Sequence, residues 1–335
     1  MAEIVFGFGV SHGPLLSTPP DKWELRAEWD RQQAKHYFRG NAYSYDELVA
    51  LRRGENLAAQ TTLEVKTERF ERCGRRIGEL GQCLRNANPD ILVIAGDDQR
   101  EWIMSDIQPP FTVFHGASVT NLAFDEERVK AEPSVVYRMR ATEPPQDSVY
   151  PVQADLAVHI IESACESGFD VAASASQPQG PQGPRQLGHA WGFVYRQLLQ
   201  DVPKPLVPVL VNTFYPPNRP TPRRCYELGR AIGRAVLSWP GSQTVGVGGS
   251  GGMTHFVIDE PLDRKIMAAM QARDLDYILG LDDRLFRAGT SEIKNWLLAA
   301  GILAETELEM RILDYVPCYR SEAGTGCAMG FAVWT

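Results

Sequence analysis

The sequence contains no run of about 18 apolar residues, so it holds no candidate for an ordinary membrane-spanning helix. It has no excess of basic charge. Lys and Arg number 34 against 42 Asp and Glu, a net charge of −8, so a polyanion-binding surface and a nucleic-acid partner are not expected. Cysteine is sparse: Cys73, Cys83, Cys165, Cys225, Cys318 and Cys327 form no C-x-x-C pair in a chain of 335 residues. A chain of that length folds without staples, and free thiols in a reducing cytoplasm are expected. The opening "MAEIVFGFGVSHGPLL" lacks the basic segment and long apolar core of a signal peptide. Neither an internal repeat nor an obvious linker divides the sequence.

What is present reads as a globular α/β chain, 44% hydrophobic and 23% charged. Four short apolar runs, "EIVFGFGV" (3–10), "DILVIAG" (90–96), "PLVPVLVN" (205–212) and "TVGVGG" (244–249), are bounded by turn residues and predict buried strands. Helical patterns over 61–86, 155–169, 223–239 and 291–303 lie between or after them. Within 155–169, Leu156, His159, Ile160 and Cys165 are expected near one face. Alternating strands and helices predict a single domain over 1–335, with a central, largely parallel or mixed sheet flanked by helices. Two stretches depart from this core: a polar and aromatic excursion at 17–60 and a Pro/Gly-rich loop at 174–188 that ends at His189.

In such sheets, ligands gather beyond the carboxyl ends of the strands. Ser11-His12, Asp97-Asp98, Asn212 with Tyr215, and His255 all follow predicted strands. Gly246, Gly248 and Gly251 also satisfy G-x-G-x-x-G, which raises a nicotinamide oxidoreductase as a remote alternative. That fingerprint needs a helix directly behind it and an acidic residue about 20 positions on. Here "MTHFVIDEP" follows instead. The glycines are better explained as a sharp turn that presents His255.

"GVSHGPLL" (9–16), "VNTFYPP" (211–217), "GSGGMTHFVIDEPLDRKI" (249–266) and "AGTSEIKNWLLAAG" (288–301) together resemble class III extradiol ring-cleavage dioxygenases of the LigB superfamily. The nearer likeness is to the branch acting on 3-O-methylgallate, gallate and other lignin-derived catechols. The resemblance implies a LigB-like fold and a mononuclear Fe(II) held by two histidines and a carboxylate, open to a catechol and O₂. It places His12 at the first ligand position and Glu260 at the carboxylate. The second histidine's slot holds Asp98. Asp98 is therefore an expected ligand, His115 is a substitute, and a degenerate site is a third possibility. A one-histidine, two-carboxylate set would admit Mn(II) as well as Fe(II).

The resemblance makes His255 the acid/base residue, in keeping with the near-neutral pKa of imidazole, and brings His189 to the substrate side. Asn212 and Tyr215 are candidate contacts for the ring. Thr290 and Ser291 either cap the helix that follows or receive a substrate carboxylate; Arg100, Arg185 and Arg320 are other carboxylate candidates. His159 is expected to pack within its helix. A cytoplasmic homo-oligomer is expected, with a small α-type subunit a possible partner. The alternative of another class is a non-catalytic binding or assembly protein on the same scaffold.

Overall fold

A computed structural model describes residues 1–131, 136–180 and 183–335. The central sheet uses β1 (Glu3–Val10), β2 (Ile91–Asp97), β3 (Phe111–Phe114), β4 (Ala172–Ser174), β5 (Leu206–Val211), β6 (Thr244–Ser250), β7 (His255–Val257), β8 (Met310–Tyr319) and β9 (Thr325–Trp334). Their order is β7-β9-β1-β6-β2-β5-β3-β4, with β8 paired to β9. β1, β6, β2 and β5 run parallel at the centre. β9 joins β1 antiparallel and β3 joins β5 antiparallel, so the sheet is mixed.

Burial on both faces explains why the central strands read as continuous apolar runs. In β2, Ile91, Val93 and Ala95 enter one core, while Leu92 and Ile94 enter the other, as the two-residue period of a strand requires. The first core holds α7 (Pro222–Ser238) and α9 (Ile293–Leu303). Every residue of α9 is buried, so it behaves as a core helix rather than an amphipathic one. The second core packs Cys73, Leu80 and Leu84 of α3 (Leu63–Ala87) and the start of α6 (His189–Phe193) against the opposite face. α5 (Ala154–Glu166) covers the far side of α7. Its buried face carries Leu156 and Ile160, whereas Cys165 is exposed and His159 bonds outward to Ser238 Oγ at 3.0 Å.

The excursion at 17–60 is an ordered unit. It contains α1 (Trp23–Gln32), a hairpin of His36–Phe38 with Asn41–Tyr43, and α2 (Tyr45–Leu51), whose Ser44–Glu47 capping box fixes its start. It is riveted to the β7–β9 edge. Asp30 takes Arg320 Nε and Nη2 at 2.5 and 2.7 Å, and Arg39 forks onto Asp259 at 2.7 and 2.9 Å. The Asp30–Arg320 pair is buried, and losing one partner of such a pair costs about 3–5 kcal/mol. The Pro/Gly-rich stretch forms a short ladder of Gln179–Gly180 with Gly183–Pro184; residues 181–182 lie outside the described residues. Among the described residues, no helix is long and apolar enough to cross a membrane.

Candidate functional site

The carboxyl ends of the parallel strands converge on one polar cluster. His12 follows β1, Asp97 closes β2, and Ser250 closes β6. α6 begins at His189 and points that ring at the same spot. His12 Nε2 and His189 Nε2 are 3.1 Å apart, and each lies 3.7 Å from an oxygen of Asp97. Among the described residues, His12, Asp97 and His189 form the one group of three such side chains whose ligand atoms all fall within 4.8 Å.

Hydrogen bonds behind the rings fix their tautomers. Ser250 Oγ donates to Ala190 O at 2.9 Å, so it accepts from His12 Nδ1 at 2.8 Å. Glu101 Oε2 accepts from His189 Nδ1 at 2.9 Å. Both Nε2 atoms are thereby turned toward the cluster, the usual arrangement behind metal-binding imidazoles. Asp97 is oriented by Asn295 Nδ2 at 3.0 Å and Gln99 Nε2 at 3.2 Å. Burial raises its pKa, and Glu292 adds to the rise. Burial would lower the His189 pKa, but Glu101 and Asp97 outweigh it and lift it to about 10. The centre is electron-rich and calls for a cation, whether a proton or a metal.

Beside it stands a second pair. Glu292 Oε1 meets His255 Nε2 at 3.1 Å, and its Oε2 lies 3.3 Å from His12 Nε2 and accepts Gly252 N–H at 2.8 Å. His255 Nδ1 donates to Met253 O at 2.7 Å. Burial opposes charge on His255, yet Glu292 and Cys327 raise its pKa well above the ordinary value, and Glu292 is correspondingly held low. The pair is thereby biased toward imidazolium and carboxylate, which differs from a free near-neutral base. The ring is clamped by glycines: a Cβ on Gly252 would fall 2.6 Å from His255 Cε1, and one on Gly289 2.0 Å from Cδ2. The glycine run thus ends a strand and opens a slot for a histidine. Gly246, Gly248 and Gly249 lie inside β6 itself.

The other expected residues fall elsewhere. Asp98 turns away and accepts the N–H groups of Trp102 and Ile103 at 2.8 and 3.0 Å, while burial, with Glu101, raises its pKa to about 6. Glu260 starts α8 (Glu260–Ala272) and bonds Tyr319 OH and Arg264, both at 3.1 Å. His115 follows β3, separated from β2 by β5. The set His12, Asp98 and Glu260 therefore does not assemble, because a strand's adjacent residues face opposite ways and α8 carries Glu260 outward. Asn212 folds its own turn, bonding the Tyr215 backbone at 2.9 and 3.0 Å, and the Tyr215 ring lies under Arg100, 4.4 Å from Cζ. Thr290 caps no helix; its Oγ1 accepts His255 N–H at 3.2 Å and donates to His255 O at 3.0 Å. Ser291 Oγ is buried without a partner. Arg320 is occupied by Asp30.

Glu292 and Glu101 are functional candidates that motif reading passes over, and Asp97 and Gln99 stand on either side of the expected ligand Asp98 without a role of their own. Strand parity finds one of them: Asp97 continues Ile91, Val93 and Ala95 toward α9, where Asn295 and Glu292 wait.

A family model described as the catalytic LigB subunit of aromatic ring-opening dioxygenase matches residues 77–324. A 2,3-dihydroxyphenylpropionate/2,3-dihydroxicinnamic acid 1,2-dioxygenase of Cupriavidus necator is 29% identical over 172 residues, 51% of this chain and 45% of the relative. A gallate dioxygenase of Pseudomonas putida is 33% identical over 110 residues, 32% of this chain and 30% of the relative. A 2,3-dihydroxyphenylpropionate/2,3-dihydroxicinnamic acid 1,2-dioxygenase of Rhodococcus sp is 25% identical over 222 residues, 66% of this chain and 58% of the relative. The chain spans about half the length of the first of these, 45%. Because the family match runs across most of its length, the chain belongs to the LigB family of catalytic subunits of aromatic ring-opening dioxygenases.

Proposed function

We propose that this chain is the catalytic unit of an extradiol dioxygenase that opens the ring of a catechol-type aromatic acid, with Fe(II) held by His12, His189 and Asp97. The observation that carries it is the pair of imidazole Nε2 atoms facing one another at 3.1 Å beside a buried carboxylate. Two histidines and one carboxylate with open positions suit non-haem Fe(II) in oxygenases. Metal–nitrogen bonds of about 2.1 Å put nitrogens on adjacent corners about 3 Å apart, close to the 3.1 Å seen between the two rings. Mn(II) fits the same donors. The lack of a histidine at position 98 speaks for a non-catalytic scaffold only while no second imidazole reaches His12, and His189 does.

When bound, the metal supplies Lewis acidity to the two catechol oxygens and an electron path to O₂. The protein residues manage protons and position. Glu292, held ionised by His255, accepts a proton from the catechol hydroxyl. His255 Nε2 then serves as the donor that returns one during ring opening. Gln99 bridges Asp97 and Glu292, both at 3.2 Å, and is exposed, so it marks the open side of the site. The gallate and dihydroxyphenylpropionate dioxygenases among the relatives support a dihydroxylated aromatic acid as substrate.

The test is oxygen uptake by Fe(II)-loaded protein with protocatechuate, gallate, 3-O-methylgallate and biphenyl catechols. One O₂ consumed per ring opened, with a yellow product or a lactone, is expected. No uptake across the panel at full metal content overturns the reading. The clamp offers a finer check. Gly289→Ala should push the His255 ring aside and lower kcat about 100-fold while metal content stays unchanged, read by steady-state kinetics beside metal analysis.

A further inference from the structure

α1 lays one face onto the β8–β9 turn. Trp23, Ala27 and Asp30 are its buried residues, spaced as a single helix face requires. Arg26, three residues after Trp23 and four before Asp30, shares that face. It is half-buried, and among the described residues no carboxylate is ion-paired to it. Asp30 is already taken, its Oδ1 by Arg320 Nη2 at 2.7 Å and its Oδ2 by Arg320 Nε at 2.5 Å and Thr325 Oγ1 at 2.6 Å. A guanidinium drawn from water without an acceptor is costly unless a ligand brings one.

The helix that carries Arg26 borders the residues beside His255. Thr325 lies two residues before Cys327 on β9, and Cys327 is the register partner of His255. Cys327 Sγ also sits against the backbone next to His12, since a Cβ on Gly13 would fall 2.6 Å from it. One turn along α1, Trp29 meets Phe256, the residue after His255, edge to face with centroids 6.5 Å apart. The Arg26 guanidinium lies within electrostatic reach of Cys327, Asp30 and Arg320, and also of Arg138 on α4 (Val136–Thr142). Arg138 in turn acts on Glu101, the carboxylate behind His189. Arginines from two separate segments thus lie within electrostatic reach of one another, Arg26 also of Cys327 beside His255 and Arg138 also of Glu101 behind His189. Burial, with Arg320 reinforcing it and Asp30 offsetting part, depresses the Arg26 pKa.

We propose that Arg26, with Arg138 in electrostatic reach, seats the carboxylate of the aromatic substrate and selects acids with vicinal hydroxyls over neutral catechols. The proposal rests on the ring-cleavage reading and adds which residue recognises the end of the substrate remote from the chemistry. Its electrostatic logic is direct. The centre already holds Asp97, Glu101 and Glu292, so an anionic substrate is repelled unless a cation waits at its far end.

The test compares wild type, Arg26→Gln and Arg26→Lys, loaded with Fe(II), on protocatechuate and on catechol, the same ring without the carboxylate. Arg26→Gln should lower kcat/KM for protocatechuate about 10- to 100-fold, mainly through KM, and alter that for catechol by less than about threefold. Arg26→Lys should recover part of the loss, because it keeps the charge but not the planar fork. Calorimetric titration without O₂ should show weaker protocatechuate binding to Arg26→Gln and unchanged catechol binding. Thermal melting checks that each variant is folded. Equal effects on both ligands, or none on either, overturn the assignment. If wild type opens neither ring, the ring-cleavage reading falls, and the binding contrast still decides the role of Arg26.

Discussion

Asp97→Ala is expected to empty the metal centre, whereas Glu260→Gln leaves it filled. Asp97 is buried, and its carboxylate lies 3.7 Å from each facing imidazole nitrogen. Removing it takes away the anionic donor and costs Asn295 and Gln99 one hydrogen bond each, leaving them Ser250 O and Glu292. Outer partners of a metal site typically cost about 10- to 100-fold in affinity when lost, and a direct ligand costs more. Metal analysis after anaerobic loading should therefore read below about a tenth of the wild-type content for Asp97→Ala, with turnover lost alongside. Glu260 bonds Tyr319 and Arg264 at the start of α8, so its amide variant should bind metal as wild type does. Asp98→Asn belongs in the same series. Its oxygens serve the Trp102 and Ile103 amides, so the variant should lose thermal stability before it loses metal. The reverse pattern, with metal lost from Glu260→Gln and kept by Asp97→Ala, would restore the ligand set implied by resemblance and discard the geometric one.

The contrast between Asp97 and Asp98 shows where sequence reasoning carries and where it stops. "DILVIAG" reads as a buried strand because parallel strands covered on both faces need apolar side chains at every position, and β2 is that strand. α3, α5, α7 and α9 likewise fall where periodicity puts them. The step from Asp97 to Asp98 is one residue, yet it exchanges the faces of the sheet; a motif match tolerates that slip, but a metal does not. His189 is a different case. Its role depends on α6 arriving over the end of β2 after a long Pro/Gly-rich connection, and no local pattern encodes that arrival. Glu292 was hidden in a helical pattern. "SEIKNWLL" reads as a helix start, but the 3-10 turn Ala288–Glu292 rotates the carboxylate toward His255 before α9 begins. The ends of strands were legible, and the partners that cross over to meet them were not.

His255→Ala should abolish most turnover while keeping the metal. The His255 ring makes no contact with His12 or His189; its Nε2 faces Glu292, and its Nδ1 is held by the Met253 carbonyl. Its loss therefore removes a proton carrier, not a ligand. Positioned acid–base groups are worth about 10²- to 10⁴-fold, and kcat should fall in that range while metal content stays near wild type. Loss of the imidazolium also deprives Glu292 of the charge that holds it ionised, so base and acid functions fail together. Glu292→Gln should consequently resemble His255→Ala, and the double variant should be little worse than either, since residues acting as a unit do not add. The slot between Gly252 and Gly289 provides a further handle. Emptied of its ring, it has the shape of an imidazole, so added imidazole should restore part of the lost rate in His255→Ala but none in Glu292→Gln. Rescue of His255→Ala alone identifies the ring as the proton donor beside Glu292. Loss of metal from that variant would instead make His255 part of the metal centre and return the proton role to Glu292 by itself.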